Sequence, residues 1–124
     1  MLIRIKMDAK KILKMDATEQ KKEMTETFTK MLKGDQNEMT KQLYALLKDV
    51  QKEGTDEEYV KLCKTNVSIA GSLDEKTLKI FMDARMKANK QLDSAGQSRD
   101  MKNLTKAMEG SPYKDKIVAA ISGK

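Results

Sequence analysis

Apolar residues recur at intervals of three and four along most of the chain, which is the spacing of a helix face and not the alternation of a strand. Met24, Phe28, Met31 and Leu32 line one such face, and Met39, Leu43, Leu46, Leu47 and Val50 line the next. Tyr59, Leu62, Cys63, Asn66 and Ile69 continue the pattern less cleanly, with Val60 and Val67 beside them. Leu78, Phe81, Met82, Ala88 and Leu92 mark what reads as the longest helix. Met101, Leu104 and Met108 mark a short one, and Ile117, Val118, Ala120 and Ile121 the last. The stripes predict helices at about 17 to 30, 36 to 52, 56 to 69, 73 to 94, 99 to 109 and 112 to 121.

Start and stop signals sharpen those limits. An acceptor side chain followed three residues later by Glu is a capping box, in which each residue satisfies a backbone N–H left free by the first helical turn. The pattern occurs as Asp16 with Glu19, Asp35 with Glu38, Thr55 with Glu58 and Ser72 with Glu75. Gly34, Gly54 and Gly71 each stand just before a box, where a left-handed residue would end the preceding helix. Downstream, Gly96 precedes a cap at Ser98, Gly110 closes that segment, and Ser111 with Pro112 opens the last helix. The fold class that follows is all-α, a compact bundle of about six short-to-medium helices whose short links favour antiparallel neighbours. The caps recur at a nearly constant interval, but no side-chain pattern recurs with them, so equal helix lengths explain the spacing without a paired-helix repeat.

Composition narrows the chemistry. The 124 residues suit a single domain at 16–124, preceded by a basic amphipathic N-terminal arm at 1–15. That arm lacks the continuous apolar region of a signal peptide, and no stretch is long and apolar enough for a membrane span. One cysteine and no histidine exclude a disulfide framework, His-based catalytic triads and His/Cys zinc sites. The lone Cys63 suits a reducing, cytoplasmic setting. Glycines stand singly, so no phosphate-cradling loop exists, and Cys63 has no base to activate it. Gly54-Thr55-Asp56-Glu57-Glu58 resembles the calcium-loop motif of annexin repeats, although Lys52 stands where that family has a second glycine. Thr55 capping a helix with acids in its first turn accounts for the same residues with no metal. The expectation is a protein without catalytic residues, metal or cofactor.

Two binding readings remain. Lys and Arg number 25 against 19 Asp and Glu, a net charge of +6, and the excess lies at the two ends of the chain. Arg4, Lys6, Lys10, Lys11 and Lys14 in the arm, with Lys76, Lys79, Lys87 and Lys90 on the long helix, would form a phosphate-tracking surface if the fold joined them. Base recognition is poorly provided for. The helix after Ser72 opens with Asp74 and Glu75, and few aromatics are available for stacking. A nucleic-acid role would therefore be sequence-nonspecific. The favoured reading is a small adaptor, inhibitor, immunity or regulatory factor that binds a protein. Ten methionines supply flexible, polarizable side chains for such contacts, with Met24, Met31 and Met39 expected in the core and Met7, Met15 and Met86 expected at the partner surface. Arg85 completes that candidate set. Counting by four from Phe81 and by three from Met82 both reach it, so a guanidinium interrupts an apolar stripe. Its stem is expected to snorkel to the rim; the other outcome is that it is held inward by a bound anion or by an acid of another helix, with Glu23, Glu26 and Asp49 as candidates.

Overall fold

A computed structural model describes residues 8–122. Helix takes up 83% of them and no strand is present among them, so the core is built entirely from helix faces. Among the described residues seven helices follow one another: α1 (Ala9–Lys14), α2 (Ala17–Met31), α3 (Gln36–Glu53), α4 (Asp56–Gly71), α5 (Glu75–Lys90), α6 (Ser94–Met108) and α7 (Lys114–Ser122). None is long and apolar enough to cross a membrane.

The start signals at Asp16, Asp35 and Thr55 operate as expected. Each side chain accepts the backbone N–H three residues on, and Thr55 with Glu58 makes both halves of the box. The fourth differs. Ser72 is the C-cap of α4, and its hydroxyl donates back to the Ser68 carbonyl. Asp74 caps α5 instead, accepting from both the backbone N–H and the hydroxyl of Thr77 at 2.7 and 2.9 Å. The helix expected at 73 to 94 ends early, at Lys90, and the one expected from 99 begins at Ser94. Asp93 accepts from the Gly96 N–H at 2.7 Å and starts α6 at Ser94, so Gly96 lies in a first turn and does not end a helix. Neither Ser98 nor Gly96 has the punctuating role read from sequence. From Asp16 onward the true N-caps, at Asp16, Asp35, Thr55, Asp74 and Asp93, follow one another at 19 or 20 residues.

The glycines serve space more than left-handed backbone. Among the described residues only Gly110 has positive φ, at 75°. Gly71 lies in the last turn of α4, where a Cβ would come within 2.1 Å of the Tyr113 ring, so its absence lets the start of α7 approach.

Short links predict packing between successive helices, yet each helix packs chiefly on the one two positions along: α1 on α3, α3 on α5, α5 on α7, α2 on α4 and α4 on α6. The chain thus zigzags between a row of odd-numbered helices and a row of even-numbered ones, and the core lies where the rows meet. Met24, Met31, Met39, Leu43, Val50, Leu62, Leu78, Phe81 and Ile117 are all buried there, with the rings of Phe28 and Phe81 stacked at 4.6 Å. The folded part of the N-terminal arm joins this core. Ala9, Ile12 and Leu13 of α1 are buried, and the buried Gln20 ties α1 to α4 by donating to the Ile12 carbonyl and accepting from the Thr65 hydroxyl.

The cap assignment gives a direct test. Asp74→Ala should destabilise the protein by about 1 kcal/mol, the usual cost of a lost N-cap, whereas Ser72→Ala should change it by only a few tenths. Urea unfolding of the two variants decides, and equal losses would contradict the assignment.

Candidate functional site

Arg85 is the polar residue that the sequence singled out, and the structure turns it inward. Only 8% of its surface is exposed, because the stripe it shares with Phe81, Met82 and Ala88 faces the core. Asp100, on α6, receives it: Nη1 donates to Oδ2 at 2.7 Å and Nη2 to Oδ1 at 2.6 Å, a bidentate pair. The guanidinium does not snorkel, and the acid is none of Glu23, Glu26 or Asp49, all exposed. The Tyr59 hydroxyl of α4 donates to Asp100 Oδ1 at 2.5 Å, and Asn89 Nδ2 of α5 donates to Oδ2 at 2.7 Å. A carboxylate has about four lone-pair sites, and these four bonds fill them.

Burial alone would push Asp100 upward, but the guanidinium, the phenol and the amide outweigh it and hold the carboxyl below its usual range. Burial likewise opposes the charge on Arg85, and Asp100 reverses the balance so that the guanidinium is held firmly protonated. Tyr59 is pushed up by burial and by the neighbouring carboxylate, so its hydroxyl remains a donor. Burial pushes the Cys63 thiol up to about 12, which leaves it neutral and without nucleophilic character.

A second network seals one end of the first. Arg99 sits over the Tyr59 ring, 5.4 Å from its centroid. Its Nε donates to Asp56 at 2.7 Å, and its terminal nitrogens donate to the Gln51 and Gly54 carbonyls at 2.8 Å, capping α3 with positive charge. Asn103 also donates to Asp56, whose carboxyl is held low by these two partners. Of the acids resembling a calcium loop, Asp56 therefore faces an arginine and an amide, and Glu58 bonds the Thr55 cap and pairs with Lys14. Among the described residues, no three His, Cys, Asp or Glu side chains are grouped to hold a metal ion.

Asp100 was the residue that sequence reading missed. It lies four before Leu104 and seven before Ala107, all three buried, so the inward face of α6 runs through 100, 104, 107 and 108, while Met101 is only half-buried. An acid on an apolar stripe is the same signal that exposed Arg85.

The remaining predicted positions lie elsewhere. Met15 and Met86 are half-buried against the core, and Met7, Arg4 and Lys6 lie outside the described residues. Lys10, Lys11 and Lys14 are exposed on α1, and Lys76, Lys79, Lys87 and Lys90 on α5. Both helices pack on α3. Lys14 pairs with Glu58 at 3.0 Å, Lys79 with Asp83 at 3.5 Å, and Lys87 donates to Gln36 at 3.2 Å. Comparison with protein-family models, with curated proteins and with solved structures finds no match to this chain.

Two outcomes test the buried network. Tyr59→Phe should destabilise by about 1 to 3 kcal/mol, the range for a lost bond to a buried charged group, while leaving the helical spectrum unchanged. The alkaline limb of stability carries a second signature. The Cys63 thiol has a raised folded pKa, so its contribution is complete below the unfolded value near 9 and is lost as pH rises from there towards about 12. Cys63→Ala should flatten the fall in melting temperature between pH 9 and 11; an unaltered slope would contradict a buried thiol.

Proposed function

We propose that this protein works by binding another protein, without catalysis, as a small adaptor, inhibitor or regulatory factor. The observation that carries this reading is where the reactive groups lie. Arg85, Asp100, Tyr59 and Asn89 are buried and joined through Asp100, and Cys63 is a buried neutral thiol, so the most perturbed polar cluster and the lone thiol are taken up inside the fold. What the protein offers outward is a helical surface.

Two helices of that surface, α5 and α7, pack on each other and each presents an exposed apolar side chain. Ile80 is 41% exposed and Val118 45%, and these are the exposed large hydrophobic residues among the described positions. Lys76, Lys79 and Lys87 accompany Ile80 on α5. An exposed apolar side chain among lysines of the same helix suits an acidic protein surface that presents its own apolar contact. Met86, half-buried on the same helix, supplies an adaptable flank.

A second reading, nonspecific nucleic-acid binding, is favoured by the exposure of all four α5 lysines. The two readings separate by what destroys binding. With the full chain as bait in nuclease-treated host extract, Ile80→Asp with Val118→Asp should weaken capture of the partner at least tenfold, and Lys10→Glu with Lys11→Glu should leave it intact. Retention of a short RNA or DNA oligomer at about 200 mM salt, where a purely electrostatic contact has lost orders of magnitude in affinity, would favour the second reading instead.

A further inference from the structure

The core is not completely filled. A cavity of about 50 Å³ lies where the two rows meet, several times the ~10–15 Å³ that one water requires. Its walls are mainly Leu46, Leu47, Leu62, Val67, Phe81 and Met82, drawn from α3, α4 and α5. Four polar side chains reach it: Tyr59, Cys63, Asn66 and Arg85.

Those four are not equivalent. The Tyr59 hydroxyl and both terminal nitrogens of Arg85 are directed to Asp100. Cys63 is a neutral thiol and acts as soft apolar wall. Asn66 Oδ1 is different: it is buried and accepts no hydrogen bond. Buried amide oxygens are ordinarily satisfied, so this one marks a position where a donor is missing. A water would be poorly held there, since it needs two to four polar partners and the neighbouring groups are engaged. A charged ligand would find no free counter-charge.

We propose that this cavity is a binding site for a small, neutral, mainly apolar molecule bearing one hydrogen-bond donor, with the donor directed to Asn66 Oδ1. The apolar walls take the body of the ligand, and the single acceptor fixes its orientation, the usual division of labour in a small-molecule pocket. Met82, with three rotatable bonds, lets the wall adjust to the occupant. The site is independent of the α5–α7 surface, so it stands or falls without the proposed protein partner.

Phenol and toluene, nearly equal in shape, test both halves. In a purely apolar cavity toluene binds better, because the phenol hydroxyl would leave water for nothing; a buried acceptor reverses the order. Titration of the native chain, followed by the ¹³C-methyl signals of Leu46, Leu47, Val67 and Met82, should give saturable shifts at these residues, with phenol the tighter probe. Asn66→Leu should return the advantage to toluene. Absence of saturable shifts at those methyls would overturn the site, and preference of the native protein for toluene would overturn the role of Asn66. If Asn66→Leu fails to fold by circular dichroism, the comparison of phenol with toluene in the native chain still decides.

Discussion

A carboxylate and a guanidinium cannot lie inside a helical core of this size without a partner for each hydrogen-bonding face. Removing either ion from water costs several kcal/mol, and the Coulomb attraction offsets this only when geometry and remaining lone pairs are satisfied together. Asp100 and Arg85 meet that condition through two parallel bonds, with Tyr59 and Asn89 completing the carboxylate. The consequence is positional. Helices α4 and α5 bring three side chains to a carboxylate carried by α6, so a rotation or slip of any of the three helices would strand a buried charge, a penalty that apolar packing alone would not impose.

The other polar contacts extend this constraint to the links. Arg99 joins the end of α3 to α4 and α6, Lys116 donates to the Gly71 and Leu73 carbonyls at the end of α4, and Gln20 joins α1 to α4. Each of the two cations serves carbonyls that a finished helix leaves without intrahelical partners. A fold in which helices pack on alternate neighbours needs such ties, because consecutive helices share less surface than alternate ones. Inward-facing polar chemistry and an outward face of lysines with two isolated apolar side chains are two results of the same arrangement.

Helix faces and burial were readable wherever local signals agreed, whereas α1, read only as a basic amphipathic arm, brings the helices among the described residues to seven instead of about six. Met24, Phe28, Leu43 and Val50 have the spacing of a core face and are buried, and Asp16, Asp35 and Thr55 cap where the boxes place them. Errors arose where two signals competed. Ser72 and Asp74 are both good caps two residues apart, and the choice went to Asp74 because its carboxylate serves two donors while Ser72 already closes α4. Leu92 continues the apolar spacing of α5 but belongs to the link, so a stripe alone did not show the break that Asp93 makes. Arg85 was visible as an anomaly, but its partner required knowing which face of α6 turns inward. The cavity was not legible at all: Asn66 reads as one imperfect member of a stripe, and only packing in three dimensions leaves its oxygen without a donor.

A double-mutant cycle on Arg85→Met and Asp100→Leu, measured by denaturant unfolding, tests this account most directly. Each single substitution leaves one charge buried and uncompensated, so each should cost about 3 to 5 kcal/mol; removing both charges should recover much of the combined loss, giving a coupling energy of about 2 to 3 kcal/mol or more. Single losses below about 1 kcal/mol that simply add in the double variant would mean that the two side chains do not meet in the core and do not fix the register of α4, α5 and α6.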